Sequence, residues 1–181
     1  MSDNGRAMKP IGEYQHFCEG MTVEDYLADD PPGVLLLASA LKGLASARGA
    51  PGSTMNRLNL GDDPSRLVPS EVSRADAYSV LPLLSRSGER DGRLVIGCGT
   101  TCDIFIDDTS ISREHAWVER RDEAYFLGDL QSVTGVRVND THLKPRDECP
   151  LNTGDRVELG RVELMFLSPL EFYNFVQRFL G

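Results

Sequence analysis

The chain reads as mainly β: a β-sandwich or barrel with a helical extension on its N-terminal side and one helix at its C-terminal end. Three observations give that class. Beyond Arg74 the hydrophobic period drops from helical spacing to the in/out alternation of strands. Short alternating runs then recur with Gly, Asn, Asp and Ser clusters between them, and many short strands with turn signals at close intervals make a sandwich or a barrel. Finally, Ser168-Pro169-Leu170-Glu171 is a capping box with proline at the first helical position, so the last stretch leaves the strands as a helix.

Taken in order, Met1 to Pro10 reads as a frayed tail. Tyr14 to Met21 gives a helical turn. Thr22 is an N-cap, with Glu24 and Asp25 placing negative charge in the first turn of a short helix that ends near Asp30. Pro31-Pro32-Gly33 breaks it. A second helix is predicted from Pro32 to Arg48: proline suits its first turn, and Val34, Leu37, Leu41 and Leu44 recur at helical spacing. Gly49 supplies its left-handed terminal residue. Leu35 and Leu36 widen the apolar face, so this helix must pack on the sandwich, on a partner or on a second copy. Residues 49–75 are rich in Gly, Pro, Ser, Asn and Asp and read as a flexible linker. The organisation is therefore a helical extension over 1–48, a linker over 49–75, the β domain over 76–168 and a helix over 169–181.

Within the β domain, Tyr78 to Leu84 gives the first strand and Arg93 to Ile96 the second, joined by a hairpin connection over Ser87–Gly92. Further strands are predicted near 103–107, 115–120, 124–129, 135–138, 156–159 and 161–167. Asn139-Asp140 and Asn152-Thr153-Gly154-Asp155 are tight turns. The last helix carries Phe172, Phe175, Val176, Phe179 and Leu180 as an apolar stripe. Packing within the chain is the preferred reading, since uncovered stripes of that size are rare in monomers; a homo-oligomer or partner contact through the helical segments is the other.

Composition removes several classes of function. A net charge of -9 argues against nucleic acid and anionic membrane, which reward Lys and Arg. The N-terminus has no apolar signal region, and Val34 to Ala47 is broken by Lys42 and Gly43 and too short to span a bilayer. The expected location is cytoplasmic. The 4 cysteines are read as reduced, and Cys98 with Cys102 lacks the further ligands of a zinc site, so neither metal nor cofactor is expected. Asn139-Asp140-Thr141 matches a glycosylation sequon, incidental in the cytoplasm.

The densest run of signals lies between Val95 and Trp117. Gly97-Cys98 is followed by the strand Asp103-Ile104-Phe105-Ile106-Asp107, the turn Asp108-Thr109-Ser110, and Ser112-Arg113-Glu114-His115. Ser132-Val133-Thr134-Gly135 and Val138-Asn139-Asp140 come later. This ordered series resembles the forkhead-associated (FHA) domain, whose pattern is G-R near the start, S-x-x-H after a D-I-x-x-D-D strand, and S-T-N-G followed by V-N-G. The resemblance covers roughly Tyr78 to Leu167. S-x-x-H alone would mean nothing; the ordered series is specific. It implies the FHA-type two-sheet β-sandwich with its binding loops at one end. It also implies a protein–protein interaction module that binds phosphothreonine peptides in Ser/Thr kinase signalling, with a kinase or a kinase substrate as partner.

A phosphothreonine brings nearly two negative charges and several acceptor oxygens, so its reader needs a cation and hydroxyl or amide donors. By resemblance, Ser112 donates to the phosphate, Arg113 is the remaining cation, and Ser132 and Thr134 stand in the loop that holds the peptide. Gly97, His115, Gly135 and Asn139 are scaffold residues that shape the loops. Two positions depart from the family: Cys98 stands where arginine is usual and Thr134 where asparagine is usual. Cysteine cannot supply the charged fork of arginine, and losing one charge-assisted contact costs about 1.5–3 kcal/mol. A weakened or altered phosphate site is therefore expected. The alternative is a phosphate-independent interaction or oligomerisation scaffold that has lost the phosphothreonine switch. Ser112 and His115 suggest a hydrolase only superficially: there is no G-x-S-x-G elbow and no phosphate-cradling G-x-x-x-x-G-K-S/T loop, so no catalytic residue is assigned.

Overall fold

The computed structural model describes residues 9–38, 78–85 and 92–180. The expected linker, most of the expected connection over Ser87–Gly92 and most of the expected tail lie outside the described residues. The hairpin expected across that connection is corrected: Tyr78–Pro82 and Gly92–Gly97 lie in different sheets and do not pair with each other. The strands are Lys9–Pro10 (β1), Val34–Ala38 (β2), Tyr78–Pro82 (β3), Gly92–Gly97 (β4), Ile104–Phe105 (β5) and Ala116–Arg121 (β6). Ala124–Asp129 (β7), Val136–Val138 (β8), Thr141–His142 (β9), Glu148–Leu151 (β10), Arg156–Leu159 (β11) and Val162–Leu167 (β12) follow. The helices are Gly12–Cys18 (α1), Val23–Ala28 (α2) and Pro169–Leu180 (α3).

Two sheets face each other. One has 7 strands in the order β1-β3-β2-β12-β11-β8-β9; the other has 5 in the order β10-β7-β6-β4-β5. This is the two-sheet sandwich of the expected class. Side chains alternate through each strand, so Leu94 and Ile96 of β4, Val118 of β6 and Leu127 of β7 meet Leu35, Val157, Leu159, Leu164 and Phe166 between the sheets. Each fully buried leucine or phenylalanine contributes about 1.5–3 kcal/mol.

The helix expected over 32–48 is corrected where it is described: Val34–Ala38 is a strand, central in its sheet, pairing with β3 on one side and β12 on the other, and residues 39–48 lie outside the described residues. Val34, Leu35, Leu36 and Leu37 are all buried. A strand covered on both faces is apolar at every position, and such a run also satisfies a helical spacing. Leu35 and Leu37 face the sandwich interior, while Val34 and Leu36 face outward to the helices. The stretch before the expected domain boundary thus belongs to the sandwich. Lys9 and Pro10, expected in a tail, add a short edge strand through Val80 and Ser79.

A second core lies outside the larger sheet. Val34, Leu36, Val80, Met165 and Leu167 present their outward faces to Ile11, Tyr26, Phe172, Phe175 and Val176. Phe172, Phe175 and Val176 of the α3 stripe are covered here, as the packing reading required. Tyr14 meets Phe172 edge-on at 5.3 Å, and Tyr78 meets Phe175 at 5.3 Å. The Tyr173 hydroxyl donates to Met21 O at 2.6 Å, and Gln177 Nε2 donates to Cys18 O at 3.0 Å, closing the end of α1. Thr22 caps α2 as expected, its hydroxyl oxygen accepting the Asp25 N–H in a full capping box.

Candidate functional site

The loops after β4, β5, β7 and β11 converge at one end of the sandwich. The first contact is backbone on backbone. Cys98 N–H donates to Ser112 O and Gly99 N–H to Arg113 O, each at 3.0 Å. A β-carbon at Gly97 would collide with the main chain of Ser112 and Arg113, so only glycine lets these loops meet so closely. Both thiols reinforce the join: Cys98 Sγ donates to Ile111 O at 3.1 Å and Cys102 Sγ to Arg113 O at 2.9 Å. Burial pushes the Cys102 thiol above its ordinary pKa and keeps it a donor.

His115 is the second tie. Its Nδ1 accepts the Ser112 N–H at 2.9 Å, which leaves the proton on Nε2 to donate to Gly135 O at 3.1 Å. The ring is fully buried, and burial lowers its pKa below 6.5, so it is held neutral. One imidazole thereby fixes two loops at a set separation.

Ser112 adds a third tie, its hydroxyl oxygen accepting the Val133 N–H at 3.1 Å. An acceptor bond at the oxygen leaves the hydroxyl proton to donate outward. Outward is a groove of about 760 Å³ lined by Cys98, Gly99, Thr100, Thr101, Ser112, Arg113, Glu114, Gln131 and Val133. Arg113 is exposed and is the cation in that lining. Val133 stands 92% exposed at the rim, the most exposed large apolar side chain among the described residues.

Three of the expected peptide-contact residues, Cys98, Ser112 and Arg113, are brought together in this groove. Ser132 and Thr134 are not in its lining. The Ser132 hydroxyl accepts the Gly135 N–H at 3.1 Å within its own loop, and the Thr134 hydroxyl donates to Ser110 O at 2.7 Å. Both tie one loop to itself or to the next. Asn139 is remote: its amide oxygen accepts the Arg156 N–H at 3.0 Å, and its Nδ2 donates to Asp155 at 3.0 Å, clamping the β8–β9 turn to β11. Val133, Gln131, Thr100, Thr101 and Glu114 line the groove without having been picked from the sequence. Only their places in the loops beside Cys98, Arg113 and Thr134 could have pointed to them.

A family model for the FHA domain matches residues 94–160. Over 107 residues the chain is 30% identical to the oxoglutarate dehydrogenase inhibitor of Corynebacterium jeikeium, covering 55% of this chain and 72% of that protein. It is 36% identical over 66 residues to the glycogen accumulation regulator GarA of Mycobacterium tuberculosis, covering 36% of this chain and 39% of that one. Among solved structures, the FhaA FHA domain is 31% identical over 44% of this chain and 89% of its own, with a TM-score of 0.40. Matched family model, relative and ordered loop motifs agree: the chain belongs to the forkhead-associated family.

Proposed function

We propose that the chain is a phosphothreonine-peptide-binding interaction module of Ser/Thr kinase signalling whose phosphate site is weakened by Cys98. The observation that carries this reading is the pairing of Ser112 and Arg113 in one groove, the serine oriented by Val133 N–H and the arginine without a carboxylate partner among the described residues. A hydroxyl donor and a guanidinium are the two groups a phosphate monoester requires. The relatives support the class: they are named as an inhibitor and a regulator rather than by a reaction of their own. A hydrolytic reading loses its basis at Ser112, because His115 Nδ1 is occupied by the serine's backbone N–H and not by its hydroxyl.

A second reading has one observation of its own. Val133 projects bare at the rim, and the Thr134 hydroxyl is turned to Ser110 O, which favours apolar, phosphate-independent contact. Calorimetric titration with a matched pair of threonine and phosphothreonine peptides separates the two. The phosphorylated form is expected to bind at least about tenfold tighter, with Ser112→Ala removing most of the difference. Equal affinities for the pair would hand the site to the scaffold reading.

A further inference from the structure

Cys98 and Cys102 bracket a turn in the wall of the groove. Cys102 N–H donates to Gly99 O at 3.1 Å, and that bond folds the chain back so that the second cysteine returns beside the first. Both sulfurs are then held by one short stretch of the facing loop. Cys98 Sγ donates to Ile111 O at 3.1 Å and Cys102 Sγ to Arg113 O at 2.9 Å, with only Ser112 between the two acceptors. The residue after Cys98 is Gly99, where an added β-carbon would stand 3.5 Å from Cys102 Sγ. Glycine there keeps a side chain out of the space beside the sulfur.

The two thiols differ in access. Cys98 is partly exposed and lines the groove; Cys102 is buried and does not line it. Burial first, and more weakly the nearby charges of Glu114, Asp103 and Cys98, raise the Cys102 pKa. An open thiol beside a covered one is the arrangement in which the first meets an oxidant and the second resolves the product. The other cysteines stand elsewhere, Cys18 in the outer core and Cys149 on β10.

We propose that Cys98 and Cys102 form an oxidation site: a peroxide converts them to a disulfide, and the disulfide lowers the affinity of the groove for phosphothreonine peptides. The effect on affinity rests on the phosphothreonine reading above; the disulfide does not. With hydrogen peroxide, Cys98 Sγ attacks one oxygen as its thiolate. An S–O bond forms, the O–O bond breaks, and the other oxygen leaves with the thiol proton as water. Cys102 Sγ then attacks the sulfenic sulfur. The S–S bond forms, the S–O bond breaks, and the hydroxyl leaves with the Cys102 proton as a second water. The thiols are oxidised by two electrons and the peroxide is reduced by them. Once bridged, neither sulfur has a proton to donate. Ile111 O and Arg113 O lose the bonds that seat the segment carrying Ser112 and Arg113, so the phosphate-facing pair shifts.

The test treats the full chain with hydrogen peroxide and reverses the treatment with dithiothreitol. By mass spectrometry the peptide containing both Cys98 and Cys102 should lose two hydrogens and regain them on reduction, with Cys18 and Cys149 unlinked. Cys102→Ser keeps a donor for Arg113 O but cannot close the bridge, so Cys98 should be caught there as a sulfenic acid by dimedone. Anisotropy with a fluorescent phosphothreonine peptide should show oxidised wild type binding at least about tenfold more weakly than reduced wild type. Cys98→Ser, whatever its own affinity, should bind alike before and after peroxide. Peroxide that oxidises Cys149 while the peptide with Cys98 and Cys102 stays reduced overturns the oxidation site. A disulfide that forms and leaves phosphopeptide affinity unchanged overturns its coupling to the groove. If reduced wild type does not distinguish the phosphopeptide from its unphosphorylated form, the phosphothreonine reading fails, and the mass measurement still decides the disulfide.

Discussion

At His115 one buried ring accepts from Ser112 and donates to Gly135, so its protonation state sets the geometry of two loops. Protonated Nδ1 would face the Ser112 N–H donor with a donor. The folded-state pKa lies below the unfolded value of 6.5, so the unfolded chain takes up a proton first as pH falls. The stability this histidine provides is complete above pH 6.5 and is lost progressively as pH falls toward the folded pKa. Urea unfolding from pH 8 to 5 should show that loss. His115→Gln can accept and donate at both places without titrating, and should remove this share of the pH dependence. His115→Ala leaves Gly135 O and Ser112 N–H without their partner and should cost about 2–4 kcal/mol in the same measurement. Ser112, Arg113 and His115 were legible because a short motif carries all three. The roles of Ser132 and Thr134 were not, since a hydroxyl's direction depends on Gly135 N–H and Ser110 O, groups that only the assembled loops bring within reach.

Of the elements that sequence reasoning misassigned, β2 is the one on which the larger sheet depends. It bonds β3 through 5 register pairs and β12 through 3, so removing it leaves two central strands with open edges. A chain starting at residue 76, where the sequence placed the domain boundary, should be unfolded or aggregated by circular dichroism and light scattering. A chain starting at residue 9 should fold. Leu35→Ala, inside the sandwich, should cost about 2–5 kcal/mol in thermal or urea unfolding. Thr22→Ala should cost only about 1 kcal/mol, the worth of an N-cap on the short helix α2. Caps and the C-terminal helix were readable because their signals are local. The identity of Val34–Ala38 was not, because an all-apolar run has no period and its two covering layers come from distant parts of the chain.

On the scale of the whole molecule, β2, β3 and β12 join two cores. Leu35, Leu81 and Phe166 enter the sandwich, while Leu36, Val80 and Met165 enter the layer under α1 and α3. Neither core can loosen without releasing strands that the other needs. Unfolding should therefore be one cooperative transition, with near-ultraviolet and far-ultraviolet signals coincident, and Phe175→Ala in the outer core should shift it by about 3–5 kcal/mol. Separate transitions for the two signals would mean that the helical layer is an independent unit. The sandwich class was open to sequence reasoning because alternation and turns repeat along the chain. The closing of two cores by a strand from before residue 76 was hidden by the sequence distance between β2 and β3.

The central claim is that Cys98 leaves a gap in an otherwise competent phosphate groove. Calorimetry of wild type, Cys98→Arg and Arg113→Ala against one phosphothreonine peptide and its unphosphorylated twin tests it most directly. Cys98→Arg should tighten the phosphopeptide by about 1.5–3 kcal/mol, roughly tenfold to a hundredfold, with little change for the twin. Arg113→Ala should weaken the phosphopeptide alone, and rising salt should weaken wild-type binding of the phosphopeptide more than of the twin because the remaining attraction is exposed charge. Tight, phosphate-dependent binding by wild type that Cys98→Arg leaves unchanged would contradict the claim, since some other group would then supply the missing charge.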